Sequence, residues 1–144
     1  PPRSTLFPYT TLFRSEHPFV RVDPILIEQA LINILENAAK FAPEATPITI
    51  SAGVVEGRLE LAVRDEGAGL DQREAEQIFE RFHRGERHAD IAGGSGLGLS
   101  VARTFVEANG GSIEPLSEGP GKGTKMRIWL PLAPVRRIRE GDDD

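Results

Sequence analysis

Cysteine is missing from these 144 residues, so neither a disulfide framework nor a thiolate metal site can form. No apolar run is long enough to span a bilayer, and the first residues lack the basic, apolar, small-residue order of a signal peptide. A surplus of positive charge is missing too. The formal net charge is -5 and the pI is near 5.3, which argues against nucleic acid as a partner. What remains is ordinary for a globular chain, 39% hydrophobic and 27% charged, with a length that suits one domain and a modest core. A cytoplasmic location is the expectation.

What is abundant locally is glycine. Gly93-Gly94-Ser95-Gly96-Leu97-Gly98 places four glycines in six residues, and Leu97, Val101 and Phe105 then repeat at helical spacing with Ala102 and Val106. A glycine loop opening a helix is an anion site, because the first N–H groups are unpaired and the helix dipole favours negative charge. Two well-known phosphate loops do not fit. The P-loop needs Lys-Ser/Thr where Leu99-Ser100 stands, and the dinucleotide fingerprint is G-x-G-x-x-G directly after a strand, not G-x-G-x-G after the polar run 83–90. The loop alone is equally compatible with a plain glycine turn.

The rest of the chain adds candidates. Residues 1–15 repeat Thr-Leu-Phe at 5–7 and 11–13 and carry prolines at 1, 2 and 8; they resemble a translated sequencing-adapter read or else form a natural flexible arm, and no function is expected of them. Phe19 to Val22 alternates as a short strand. Asp23-Pro24 then caps a helix expected to run to about Phe41, with Ile27, Ala30, Leu31, Ile34, Leu35 and Ala38 as its apolar face. Off that face, Asn33, Asn37 and Lys40 form one stripe. It reads either as a solvated flank or as two amide oxygens for a hydrated Mg²⁺ with an ammonium near phosphate.

Strands are expected over 48–55 and 59–64, joined by the two-residue turn Glu56-Gly57. Period two puts Asp65 on the face of Leu59, Leu61 and Val63. Asp65-Glu66-Gly67-Ala68-Gly69 is then either a strand-ending turn or a buried acceptor for an exocyclic amine such as adenine N6, with glycines making room for the ring. A short helix follows over 73–79, then a long loop over 81–96, a helix over 97–109, and strands over 112–116 and 124–130. His83 and His88 have no third ligand nearby and read as loop residues. Residues 134–144 form a charged tail.

These blocks, taken together, resemble the ATP-binding catalytic domain of bacterial sensor histidine kinases. Asn33 to Phe41 is similar to their N box, Asp65 to Gly69 to the first glycine box, and Ile78 to Arg84 to the F box. Gly94-Ser95-Gly96-Leu97-Gly98 resembles the second glycine box, and Gly121 to Thr124 the closing glycine-threonine element. Order and spacing match from about Phe19 to Pro131, and the short lid, Phe82 to Gly94, is most similar to that of the Kdp-type potassium-responsive sensors.

The resemblance implies a Bergerat-type α/β (α+β) two-layer sandwich: a mixed sheet of about five strands under three helices, with a lid loop, occupying residues 16–133. It implies ATP and Mg²⁺ as ligands. Asp65 would take the adenine amine with Thr124 near it, and Asn37, helped by Asn33, would hold Mg²⁺. Lys40 and Arg84 would reach the phosphates, and Phe41, Gly67, Gly69, Gly94, Ser95, Gly96, Leu97 and Gly98 would complete the ATP site. Implied partners are a histidine-bearing dimerisation hairpin and a response-regulator receiver domain, with any membrane link through upstream segments.

Two departures accompany this. Asn109 stands where the family often has histidine, a position expected to be structural. The hairpin with the phosphoacceptor is absent, and His17, His83 and His88 lie in no such motif, so no catalytic residue is expected in this chain. Within the same fold, the gyrase, Hsp90 and mismatch-repair hydrolases place a glutamate where Asn33 stands, which favours a kinase. A nucleotide-free docking module is the other alternative, disfavoured by the intact glycine boxes.

Overall fold

The computed structural model describes residues 19–80 and 97–134. Its longest element is helix α1, Pro24–Phe41. Asp23 caps it by accepting from the Ile25 and Leu26 amides, and Pro24 occupies the first turn, where no donor is needed. Ile27, Ala30, Ile34 and Ala38 recur every three or four residues and are buried, while Leu31 and Leu35 flank them half-buried against the core.

Strands β1 (Thr49–Val55) and β2 (Arg58–Asp65) form a hairpin closed by Glu56 and Gly57, both at positive φ (51° and 75°). Two positive values define the turn whose twist suits a two-residue hairpin. A short helix α2 (Gln72–Gln77) follows, capped by Asp71 on the Glu74 amide at 2.7 Å. Helix α3 is Gly98–Ala108, and β3 (Ser112–Leu116) and β4 (Thr124–Pro131) complete the order.

The sheet runs β1-β2-β4-β3, and every pairing in it is antiparallel. Two sequence expectations are therefore corrected: among the described residues the sheet has four strands instead of about five, and it is antiparallel instead of mixed. The reason lies at Phe19 to Val22. Asp23-Pro24 starts the helix immediately after this segment, and opposite it Leu132 is flanked by Pro131 and Pro134, which lack N–H donors. What forms is a single antiparallel bridge, Val20 to Leu132, with the Ala133 amide donating to the Phe19 carbonyl at 2.6 Å.

The three helices cover one face of the sheet, where Leu59, Val63, Ile113, Met126, Ile128 and Leu130 meet α1 and α3. On the other face, among the described residues, side chains provide the cover. Trp129 is buried there under the Arg58 guanidinium, 4.3 Å from its ring centroid, and its indole N–H donates to Glu114 at 2.9 Å. Arg127 pairs with Glu114 at 2.6 Å across the adjacent strand. Among the described residues no helix is long and apolar enough to cross a membrane.

Candidate functional site

The polar stripe of α1 lies beside two other predicted blocks. A Cβ built at Gly98, the first residue of α3, would sit 4.0 Å from the Asn33 Cβ. At the other end of the stripe, a Cβ at Gly67 would sit 3.0 Å from the Phe41 carbonyl oxygen and 2.9 Å from Asp65 Oδ1. Eight residues of helix separate these points, about 12 Å at 1.5 Å per residue. Asn33, Asn37 and Phe41 are half-buried between them, and Lys40 is exposed in the last turn, where a cation suits the helix dipole.

Asp65 ends β2 half-buried, and its Oδ1 accepts from the Gly67 amide at 2.8 Å. Register places it opposite Thr124 on β4. The two glycine segments beyond this pair are bonded together: the Gly123 amide donates to the Gly67 carbonyl at 3.2 Å, and the Gly121 amide to the Ala68 carbonyl at 2.6 Å. Gly123 has φ +74°, and a Cβ there would overlap the Asp65 carbonyl oxygen. Gly69 has φ +69°, and a Cβ there would overlap the Gly119 carbonyl. These glycines make room first for the protein's own backbone.

Two contributors, Ser117 and the Phe41 carbonyl, carry too little local signal to be found in the sequence, while a third, Asn109, is expected to be structural. Ser117 pins the junction: its hydroxyl accepts from the Leu70 amide at 3.0 Å and donates to the Gly123 carbonyl at 2.7 Å. Its only signal is a serine inside the turn-rich run 116–123. The Phe41 carbonyl, a backbone group, leaves no signal at all. Asn109 ties the two long helices together, accepting from the Asp23 amide at 2.7 Å and donating to the Phe105 carbonyl at 2.8 Å. That is the structural role expected of this position.

The F-box segment is placed by packing. Ile78 and Phe79 lie against the core, and Arg103 of α3 stands 5.5 Å over the Phe79 ring. Leu97 precedes α3 with no side-chain cap hydrogen bond, so the first amides of that helix have no side-chain acceptor from it. Arg84, Gly94, Ser95 and Gly96, with His17, His83 and His88, lie outside the described residues. No group of three or more His, Cys, Asp or Glu that could hold a metal occurs among the described residues.

A two-layer sandwich whose first long helix runs between glycine segments is the Bergerat arrangement. The family described as histidine kinase-, DNA gyrase B-, and HSP90-like ATPase matches residues 22–134, and the chain belongs to it. Within that family it is an ATP-binding catalytic domain of the sensor histidine kinase type. It is 40% identical over 116 residues to the sensor histidine kinase WalK of Bacillus subtilis, covering 78% of this chain and 19% of that protein. To the sensor protein KdpD of Escherichia coli it is 37% identical over 125 residues, 87% of this chain and 14% of that one. Kdp-type sensors thus stand among the relatives beside others. Of solved structures, the mycobacterial sensor histidine kinase MprB superposes with a TM-score of 0.70 at 32% identity, covering 81% of this chain and 76% of that one. Full-length ShkA in complex with AMPPNP gives 0.71 at 29%, covering 84% and 24%. The chain spans less than a fifth of the length of the two curated relatives named here.

Proposed function

We propose that this domain binds ATP along the α1 stripe, adenine toward Asp65 and phosphates toward Gly98, and donates the γ-phosphate to a histidine on a helical hairpin outside these residues. The observation that carries this is the placement of Asn33, Asn37 and Lys40 between Gly98 at one end and the Asp65–Gly67 pair at the other. The Asp65 carboxylate is acceptor-only when ionised and suits the N6 amine of adenine, which donates. Thr124, opposite it in register, stands within reach of the same ring edge. Lys40, in the last turn of α1, and Arg84, from the segment before the second glycine box, would reach the phosphates along the stripe.

The donor set fits a magnesium ion. Mg²⁺ keeps several waters and takes further ligands from substrate phosphates, so a neutral amide oxygen from Asn37, assisted by Asn33, completes a shell that needs no carboxylate cluster. When bound, the ion supplies neutralisation of charge between the β- and γ-phosphates. The chain's residues position the nucleotide, and phosphoryl transfer asks for little more than position and charge.

Hydrolysis is the competing chemistry of the wider family. It requires a base for water, and the amide of Asn33 accepts no proton at neutral pH. Glu36 is exposed and turned about 100° from Asn37 around the helix. The domain therefore acts as a kinase module on the cytoplasmic side of a sensor, with a receiver domain downstream of its histidine partner.

The test is a radiolabelled γ-phosphate assay with and without a histidine-bearing hairpin supplied in trans. Label should move to the hairpin, and Asn37→Ala should abolish the transfer. Robust phosphate release by the isolated chain would move it to the hydrolases, and transfer that survives in Asn37→Ala would remove Asn37 from the metal site.

A further inference from the structure

The two edges of the sheet are built differently. Edge strand β3 carries Glu114, held by Arg127 at 2.6 Å, and Pro115, which has no N–H to offer a neighbour. Edge strand β1, Thr49-Ile50-Ser51-Ala52-Gly53-Val54-Val55, has neither a charge nor a proline. Val54 and Val55 are 48% and 42% exposed on it. An edge of this length without a charge or bulge is a template for another strand.

We propose that β1 pairs antiparallel with β1 of a second copy of this chain, joining two four-stranded sheets across a two-fold axis at Ala52. The backbone supplies the argument. In a two-residue hairpin the residues flanking the turn exchange hydrogen bonds, so Val55, Gly53, Ser51 and Thr49 bond to β2. Ile50, Ala52 and Val54 then turn their N–H and C=O groups to the edge that no described strand pairs. That set is symmetric about Ala52: a two-fold there pairs Ala52 with Ala52, and Ile50 with Val54, twice.

Side chains agree with this register. Ile50 and Val54 share the helix-side face with their β2 partners Val63 and Leu59, so the new pairs extend the core strip with β-branched contacts. On the opposite face Thr49 meets Val55 and Ser51 meets Gly53. Glu56 falls opposite Ile48 and far from its own copy, so no like charges oppose one another. Because β3 is blunted, β1 has no second edge to add to, and pairing closes as a dimer instead of growing into a filament. Seven residues of strand span about 23 Å, a small interface, so the self-association is weak and concentration-dependent.

The experiment uses the full chain. Sedimentation at rising concentration should show a monomer–dimer equilibrium, weakened about tenfold by Val54→Lys, a charge placed on the exposed edge. Because the chain has no cysteine, Ala52→Cys introduces a sole thiol. Across the proposed axis the two Cα atoms lie about 5.5 Å apart, inside disulfide range. Mild oxidation should therefore give covalent dimer, while Glu56→Cys, whose copies lie more than about 20 Å apart, should give little. A monomer at every concentration, or cross-linking of Glu56→Cys equal to that of Ala52→Cys, would overturn the proposal. So would dimerisation that appears only after removal of residues 135–144, which would assign the edge to the chain's own tail.

Discussion

The glycines of this domain fall into two groups that look alike in sequence and differ in structure. At Gly67, Gly69 and Gly123 the space a side chain would need is taken by the protein itself: Asp65 and Phe41, Gly119, and Asp65 again. Two of the three also hold positive φ. At Gly98 the one close neighbour among the described residues is the Asn33 Cβ at 4.0 Å, and the residue is an exposed start of a helix that alanine could occupy. The fold accounts for the first group without any ligand. Among the described residues nothing requires a glycine at Gly98, which makes it the better pointer to something bound.

The sharpest way to test this contrast is Gly123→Ala. It forces a left-handed conformation on alanine and pushes a methyl into the Asp65 carbonyl, so stability should fall by about 3 kcal/mol, read from the denaturant midpoint. A shift below about 1 kcal/mol would mean that the junction of the two glycine segments relaxes easily, and the contrast would lose its first half.

Asp65→Asn is the next largest. Its amide oxygen can still accept from the Gly67 amide, so the turn should hold, but an acceptor-only carboxylate becomes an amide that presents a donor to the proposed adenine amine. ATP affinity should drop about ten- to a hundredfold by calorimetry, the equivalent of one mismatched buried polar group. Unchanged affinity would remove Asp65 from the base site.

Gly98→Ala should separate the two groups most clearly, because its two effects have opposite signs. Helix propensity predicts a gain of up to about 1 kcal/mol in stability. The added methyl beside Asn33 should nevertheless weaken ATP binding about tenfold. If both quantities stayed unchanged, Gly98 would belong with neither group.

Removing residues 1–15 should do least. The match to the family begins at residue 22, and melting temperature and ATP affinity should stay within error of the intact chain. A loss of several degrees would show that the arm packs on the domain.

Much of the site is legible in the amino-acid sequence by itself, because its signals are local. The α1 stripe follows from helical period, the Asp23-Pro24 start from capping chemistry, and the Glu56-Gly57 turn from hairpin length. Each depends on neighbours within about seven residues, which chain stereochemistry alone relates. Asp65 is legible for the same reason, as the last member of an alternating row.

What only the tertiary structure decided is long-range. Whether Phe19 to Val22 became a fifth strand depended on Leu132 and its two prolines, more than about 100 residues away along the chain. That Ser117 would hold Leu70 and Gly123, and Asn109 the start of α1, required strands and helices to meet first. The functional meaning of the glycines belongs to this class as well. A glycine in the sequence says that a side chain is missing; only the packed fold says whether protein or empty space stands where it would have been.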